Sequence, residues 1–339
     1  MKTTEEAIRE AARLLREGRL VAFPTETVYG LGADTFNPEA IARVYELKGR
    51  PSDNPLIAHI AETSLAPRLT DGWNDEAAQL AAAFWPGPLA LILPRAPSVP
   101  AAAAGGRETI AIRVPRHPVA LSLLRAFDGP VSAPSANRSG RVSPTRAKHV
   151  ATDFADADDL TILDGGDSKV GLESTVLDLT EDRPRILRPG QIDADSIGRV
   201  LGRTVEVVRP ISQSASPGTA TRHYQPRTPA TLVQRSEWSS PSLRIEPGDI
   251  LIAREPADEL PPIITQGERC FLMPREPDAY ATALYDTLRK ADDLAGKRLL
   301  IEWPQDTGAI WDAIRNRLER AATWPRDSRR RSDDNPAQF

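Results

Sequence analysis

The chain has 339 residues, of which 40% are hydrophobic and 27% are charged, as is typical of a globular protein with a sizeable core. This length predicts about two domains. The formal net charge of −4 excludes a polycation, so contact with a nucleic acid would need a local basic patch.

Cysteine and histidine usage excludes several kinds of site. The single cysteine, Cys270, rules out an intramolecular disulfide framework and a cysteine-rich metal site. The four histidines are scattered and lack HExxH-type spacing, so we expect no protein-bound metal. The charged N-terminus lacks a signal-peptide core, and no apolar run reaches the ~20 residues of a membrane span. We therefore predict a cytoplasmic protein without a membrane partner.

Helix and strand signals alternate along the first 200 residues. Thr3 and Glu6 predict a capping box, and Gly18 predicts the end of that first helix. Further helices are predicted at Pro38–Lys48 (with Asn37 as N-cap), Asn74–Phe84 and His117–Phe127. Strands are predicted at Arg19–Phe23, Leu56–Ile60, Leu89–Leu93, Thr109–Val114, Pro130–Ala133, Leu160–Leu163, Ser174–Asp178 and Arg185–Leu187. Because several strands are joined by short links, we predict an α/β fold with a twisted mixed sheet covered by helices.

The composition changes near Val208. Residues 208–229 are rich in Ser, Thr and Pro and predict an extended linker. A weaker α/β pattern follows and predicts a smaller Rossmann-like α/β domain. Its strands are predicted at Ala230–Val233, Asp249–Ala253 and Arg298–Glu302, and its helices at Asp278–Leu294 and Gly308–Ala322. The predicted divisions are a first domain at 1–207, the linker at 208–229, a second domain at 230–323 and a disordered tail at 324–339.

Two common phosphate-binding motifs are missing. No GxxxxGK[ST] sequence occurs, so a P-loop is excluded. The segment Gly30–Thr35 (GLGADT) imitates the start of GxGxxG but lacks the third glycine. Any ATP site must therefore be built in another way.

The sequence PTETVYGLG (Pro24–Gly32) directly follows a predicted strand. Open α/β sheets usually bind ligands at the carboxyl ends of strands, and this segment supplies hydroxyls and a carboxylate there. Its two glycines would allow an unusual backbone path or close approach of a ligand. The alternative is an ordinary capped turn.

Lys48 and Arg50 flank a glycine just after a predicted helix, in a loop that contains two prolines. A point charge and a planar guanidinium two residues apart would form a paired clamp for phosphate. The alternative for Lys48 is a cation that complements the helix dipole. That alternative is weaker for Arg50, which we place in an exposed loop beyond the helix.

Weaker signals lie at other predicted strand ends and loops. Small and hydroxyl-bearing residues at 132–144 would let backbone N–H groups approach a ligand. His59, inside an apolar strand, is more often a core residue, and Arg113 could meet a carboxylate or only solvent. The segments Gly171–Thr175 and Arg188–Gly190 also fit a shared cleft.

Taken in order, these segments resemble the threonylcarbamoyl-AMP synthase family, whose catalytic unit is a YrdC-like domain. The resemblance is carried over residues 5–200 by PTETVYGLG, KGRPSDNPL, PSAN, ESTV and RPG. In the linker, Ser216–Gly218 (SPG) and His223–Pro226 (HYQP) resemble the two-domain members. The chain departs from the family at Thr219–Arg222, where a Met-Lys-Tyr-like run is common, so Arg222 would replace a linker lysine.

The resemblance implies an L-threonylcarbamoyladenylate synthase, a nucleotidyltransferase. It would convert L-threonine, bicarbonate or CO2, and ATP into threonylcarbamoyl-AMP and pyrophosphate, for the threonylcarbamoyl modification of adenosine in tRNA. Mg2+ would accompany ATP, and no organic cofactor is expected. The implied partner is the downstream tRNA threonylcarbamoyl transferase complex, with weak or no direct binding of nucleic acid.

By the same resemblance, two sets of residues would bind the substrates. The threonine set is Thr27, His59, Arg113 and Ser174. The ATP set is Lys48, Arg50, Asn54, Thr109, Ser135, Asn137, Ser143, Arg188 and Tyr224, with Lys48 and Arg50 also acting in catalysis. The linker around His223 and Tyr224 is the predicted lid, while Glu302, Trp303 and Asp306 are predicted to be structural.

Two other functions use a similar domain. An RNA-binding module without synthase activity is the alternative, because YrdC-like domains can present a basic concave surface. Carbamoyl transfer in hydrogenase maturation is excluded, since those proteins carry cysteine-rich zinc motifs and this chain has one cysteine.

Overall fold

The computed structural model describes residues 3–208, 223–240, 243–255 and 269–323. The predictions made for Arg209–Arg222, including SPG and Thr219–Arg222, and for the tail at 324–339 lie outside these residues. Within the described part of the chain, no helix is both long and apolar enough to cross a membrane.

Six helices precede the linker in the described chain. They are α1 (Glu5–Arg16), α2 (Pro38–Lys48), α3 (Asp75–Phe84), α4 (Pro118–Phe127), α5 (Ala147–Asp153) and α6 (Ala194–Leu201). Asn37 caps α2 as predicted, since its side chain accepts from two backbone N–H groups. The predicted capping box was wrong by one residue, because Thr4 caps α1 while Thr3 donates to the Asp164 carbonyl.

Ten short strands form one sheet. They are β1 (Val21–Phe23), β2 (Gly30–Asp34), β3 (Ile57–His59), β4 (Leu89–Pro94), β5 (Thr109–Arg113), β6 (Val131–Ser132), β7 (Thr161–Ile162), β8 (Thr175–Asp178), β9 (Arg185–Arg188) and β10 (Glu206–Val207). Their order is β10-β9-β8-β4-β5-β3-β6-β2-β1-β7. The pairs β3–β5 and β4–β8 are parallel, whereas β1–β2 and β4–β5 are antiparallel, so the predicted mixed α/β sheet is confirmed.

Strand β2 contains residues that we interpreted as a loop. It pairs antiparallel with β1, so the turn between them is limited to residues 24–29. A Cβ atom on Gly32 would lie 2.8 Å from side-chain atoms of Phe23 and Val131. Gly32 therefore allows close packing within the sheet, and the interpretation as a ligand-approach glycine was wrong at this position.

A second sheet of four parallel strands follows the linker. Its strands are β11 (Ala230–Val233), β12 (Ile250–Arg254), β13 (Cys270–Met273) and β14 (Leu299–Glu302), in the order β11-β14-β12-β13. The helices α7 (Pro277–Asp293) and α8 (Ala309–Ala321) pack on it through an apolar core that also includes Val28, Val142 and Leu172 of the first domain. A parallel sheet with covering helices is the Rossmann-like arrangement that the sequence predicts.

Candidate functional site

A cavity opens beside the turn after β1 and the carboxyl ends of β3 and β5. Its wall is completed by the start of β8, the end of β9 and the end of the linker. The predicted site residues that line it are Thr27, Arg50, His59, Arg113, Ser135, Ser174, Arg188 and Tyr224. The structure therefore brings together members of both predicted sets, from segments far apart in sequence.

Arg113 anchors the side of the cavity predicted for threonine. Its guanidinium donates to Thr27 Oγ1 at 3.0 Å and to the Gly87 carbonyl at 3.1 Å. It also pairs with the Glu26 carboxylate, with 2.5 Å between Nη2 and Oε1. Because a guanidinium has five N–H donors, both terminal nitrogens keep a donor for a further oxygen ligand. The sequence suggested the Glu26 carboxylate as a ligand-facing group, whereas in the structure it pairs with Arg113 and holds it in place.

His59 is both a core residue, as is common for a histidine in an apolar strand, and a residue of the cavity wall. Its Nδ1 lies 3.0 Å from the Ile57 carbonyl, and its ring packs edge-on against Phe23. Burial and the nearby charge of Arg113 lower the pKa of His59 to about 3. It is therefore a neutral imidazole that is part of the core and also lines the cavity.

Lys48 and Arg50 place positive charge beside the cavity. The Lys48 ammonium donates to the carbonyls of Ser135, at 2.5 Å, and Asn137. Arg50 donates to Asn54 Oδ1 at 2.6 Å and to the carbonyls of Asn54 and Pro55. Within the described residues neither cation forms an ion pair with a carboxylate. Burial lowers the pKa of Lys48 and lowers that of Arg50 to about 10, as expected for cations without a counterion.

The prediction that Arg50 lies in an exposed loop was wrong. Only 7% of its surface is exposed, because the loop at 51–55 folds back and offers three oxygen acceptors to its guanidinium. Gly49, with φ of +61°, ends α2 in the left-handed conformation and turns the chain toward this loop.

Ser174, from the predicted threonine set, is in direct contact with Arg188, from the predicted ATP set. Arg188 donates to the Ser174 carbonyl at 3.0 Å and to Ser174 Oγ at 3.1 Å. Both residues are almost completely buried and both line the cavity. A group bound at Ser174 would therefore lie next to a group bound at Arg188.

Three other predicted ATP residues, Asn54, Asn137 and Ser143, lie near the wall without lining the cavity. Asn54 supports Arg50, and Ser143 donates to Glu173 at 2.6 Å. Asn137 donates to two carbonyls, while its buried Oδ1 has no hydrogen-bond partner among the described residues. Thr109 lies at the opposite end of β5 from Arg113, so the structure does not bring it to the cavity.

The end of the linker closes the cavity. His223 and Tyr224 line it, and the Tyr224 ring stacks on Tyr285 of α7 at 5.5 Å. Among the described residues, Tyr224 Oη and His223 Nδ1 are buried without a hydrogen-bond partner. The accessible volume is about 50 Å³, room for only about four water molecules.

Glu173 lines the cavity as a carboxylate whose two oxygens both accept hydrogen bonds. It accepts from Ser143 Oγ, from Tyr285 Oη at 2.9 Å and from Arg317 Nε at 3.0 Å. Burial raises its pKa, but the guanidinium groups of Arg317 and Arg188 outweigh burial and lower it to about 2. Sequence reasoning gave no role to Arg317 or Tyr285, although Arg317 occupies a position of the apolar stripe of α8.

Comparisons with known proteins match this chain to one family and one fold. Residues 13–190 match the family model Sua5_yciO_yrdC, described as "Telomere recombination", and residues 192–323 match "Threonylcarbamoyl-AMP synthase, C-terminal domain". The chain is 39% identical to a threonylcarbamoyl-AMP synthase of Pyrococcus abyssi over 323 residues, covering 93% of this chain and 94% of that protein. It is 41% identical to one of Bacillus subtilis over 338 residues, covering 95% and 94%.

A solved structure is similar over nearly the whole chain. The crystal structure of P. abyssi Sua5 complexed with L-threonine superposes with a TM-score of 0.83 and 36% identity, covering 95% of this chain and 97% of that one. Both halves of the chain are therefore matched in sequence and in fold. The chain belongs to the threonylcarbamoyl-AMP synthase family, in its two-domain form.

Proposed function

We propose that this protein is an L-threonylcarbamoyladenylate synthase and therefore a nucleotidyltransferase. It would make threonylcarbamoyl-AMP and pyrophosphate from L-threonine, bicarbonate or CO2, and ATP, for the threonylcarbamoyladenosine modification of tRNA. Family membership and relatives of that name support the proposal. A cytoplasmic location and a downstream tRNA threonylcarbamoyl transferase complex as partner fit this activity.

One observation supports the binding of ATP at this site. Lys48 and Arg50 are buried next to the cavity, and their partners are neutral oxygens. A buried charge without a counterion is costly, whereas an incoming triphosphate would supply the missing negative charge. Arg188, which also lines the cavity, would complete a positively charged cradle.

The threonine half depends on the Arg113 side. The remaining N–H donors of Arg113 would bind the amino acid carboxylate, and Thr27 would add a hydroxyl. Ser174 and the neutral His59 would complete this subsite. The P. abyssi relative, solved with L-threonine, supports an amino acid site in this fold.

The reaction follows from placing the two subsites side by side. The free amine of threonine attacks the carbon of CO2 and loses a proton, which gives a carbamate; with bicarbonate, water is released. A carbamate oxygen then attacks the α-phosphorus of ATP, and the bond to the β-phosphate oxygen breaks to release pyrophosphate. Because Arg188 contacts Ser174 directly, the carbamate and the α-phosphate would lie within reach of each other.

Such a transfer needs positioning and charge neutralisation more than a protein nucleophile. Lys48, Arg50 and Arg188 would neutralise charge that develops on the leaving pyrophosphate. Mg2+ would be carried on the ATP phosphates and supply further positive charge there.

We propose that His223 and Tyr224 form part of a lid. The cavity holds about 50 Å³ in this structure, so we expect its wall to move when the nucleotide enters. Once closed, the lid would protect the carbamate, which is labile in water. The unpartnered buried Tyr224 Oη and Asn137 Oδ1 would gain partners from the bound nucleotide.

The proposal is tested by pyrophosphate release and product mass. Purified protein supplied with ATP, L-threonine and bicarbonate should release pyrophosphate and form threonylcarbamoyl-AMP. Omission of threonine, or its replacement by L-valine, is the matched control and should abolish release. Threonine-independent turnover, or no turnover at all, would count against the proposal.

The RNA-binding alternative finds less support. A cleft between the two domains is lined by several cations, but most of these pair with carboxylates, as Arg146 does with Asp286 and Arg289 with Asp153. Tight RNA binding with a steep salt dependence and no pyrophosphate release would favour that alternative.

A further inference from the structure

Two buried side chains of the second domain, Arg317 and Tyr285, reach the candidate site. Arg317 lies on α8, next to Ile314 and Leu318, and only 1% of its surface is exposed. A buried arginine on the apolar stripe of a helix requires a set of specific partners. Its partners outside α8 in the described chain line the cavity or lie next to a residue that does.

Arg317 contacts three separate parts of that wall. Its Nε donates to the Glu173 carboxylate at 3.0 Å, and its Nη1 donates to the Pro189 carbonyl at 2.7 Å. Its guanidinium carbon lies 5.7 Å from the centre of the Tyr224 ring. These contacts adjoin Ser174, Arg188 and the His-Tyr pair, respectively.

Tyr285 of α7 supports the same wall. Its hydroxyl donates to the second oxygen of the Glu173 carboxylate, and its ring stacks on Tyr224. The first carboxylate oxygen accepts from Ser143 Oγ, so the three donors leave the carboxylate a single orientation.

We propose that Arg317 is a positioning residue for the nucleotide subsite, so that the second domain sets the geometry of the site as well as carrying the linker. Arg317 acts through Glu173, Pro189 and Tyr224 and need not touch the substrate. A rotation or displacement of α8 would move the walls that hold Ser143, Arg188 and Tyr224. The inference rests on the proposed function only for the identity of the nucleotide.

Substitutions of Arg317 and Tyr285 distinguish a positioning role from a role that only holds the two domains together. Arg317→Gln removes the guanidinium, and Tyr285→Phe removes only one hydroxyl while keeping the stacked ring. The matched control is Arg146→Gln, which also breaks an arginine–carboxylate pair between the two domains, with Asp286 of α7, but lies outside the cavity wall. Each full-length variant is compared with the wild type for melting temperature, calorimetric Kd for ATP, and KM and kcat in pyrophosphate release.

We expect Arg317→Gln to raise the Kd and KM for ATP at least about tenfold, since it removes charged hydrogen bonds that order the wall. Tyr285→Phe should raise them about threefold with little change in melting temperature. Arg146→Gln should lower the melting temperature and leave both constants for ATP unchanged.

The inference is overturned if the Kd for ATP is unchanged in the cavity-side variants or rises equally in Arg146→Gln. If Arg317→Gln does not fold, Tyr285→Phe decides, because it removes a single atom. A wild type that binds ATP without releasing pyrophosphate would defeat the proposed function, while the Kd values would still decide the role of Arg317. A wild type that does not bind ATP would overturn both.

Discussion

Two regions of this molecule bury charge in opposite ways. In the second domain the Glu302 carboxylate, 4% exposed, accepts from Arg235 Nη1, Trp238 Nε1 and the Arg254 backbone N–H. Beside the cavity, Lys48 and Arg50 are buried just as deeply but donate to neutral carbonyl and amide oxygens. Complete pairing indicates a charge that stabilises the fold, whereas a cation without a counterion indicates a charge that a ligand completes.

This contrast supports the prediction that Glu302 is structural and sharpens the prediction for Arg50. Since Arg50 is buried, its substitution acts on both stability and binding, and the two effects must be measured separately. The comparison predicts that substitution of a cavity cation lowers activity more than stability. Substitution of Glu302 should lower stability more than activity.

The largest expected effect is on Arg50→Met. This change keeps an unbranched stem in place of the arginine and removes the buried charge, so pyrophosphate release should fall about 10²–10³-fold. The melting temperature should change by no more than about 3 °C, because the lost hydrogen bonds are offset by removal of an uncompensated charge. Steady-state kinetics measures pyrophosphate release, and calorimetry measures the melting temperature. A large drop in melting temperature with nearly normal kinetics of the folded fraction would contradict the contrast between the two regions.

The next largest effect is a change of the free energy of unfolding with pH, caused by protonation of Glu173. Its pKa is about 2 in the folded protein and 4.5 for a free glutamate side chain, so the unfolded chain binds the proton more readily in this range. The stabilisation, about 3 kcal/mol, is therefore fully present above pH 4.5 and lost as the pH falls toward 2. Urea unfolding of wild type and Glu173→Gln should give free energies that converge over this window. A constant difference down to pH 2 would contradict the assignment.

For Glu302→Gln we expect a loss of stability without a loss of activity, which is the opposite of the result for Arg50→Met. The amide would place an NH2 group against one of the donors that now face the carboxylate, lowering the free energy of unfolding by about 2 kcal/mol. Turnover per folded molecule should be that of the wild type. Urea unfolding and pyrophosphate release check the pair of outcomes, and loss of activity at unchanged stability would give the second domain a chemical role.

A smaller effect is expected for Gly32→Ala. The added methyl group would lie 2.8 Å from atoms of Phe23 and Val131, so we expect a loss of about 1–2 kcal/mol from overpacking. Thermal unfolding measures this loss. Because no polar group of the cavity changes, KM for ATP should stay the same, and an increase would indicate that the β1–β2 hairpin transmits strain to Thr27.

Local patterns predicted most of the fold. Asn37 and Pro38 fixed the start of α2, and apolar runs placed β3, β4 and β5, because capping and burial are properties of neighbouring residues. The β1–β2 hairpin was missed because the glycines of β2 lack strand propensity and are selected by packing against distant side chains.

The site was predicted less completely than the fold. The family-like motifs identified residues such as Arg113 and Ser174, which do line one cavity. The burial of Arg50 and the pairing of Glu173 with Arg317, 144 residues apart, depend on tertiary contacts that no local pattern encodes. Arg317 on the apolar stripe of α8 was the available signal for this contact.

The most direct test of the central claim is a crystal structure of the protein with a non-hydrolysable ATP analogue and L-threonine. We predict that phosphate oxygens lie within hydrogen-bond distance of Lys48 Nζ and the Arg50 guanidinium, and that the threonine carboxylate contacts Arg113. A triphosphate bound elsewhere, with Lys48 and Arg50 still donating only to carbonyl and amide oxygens, would contradict the account.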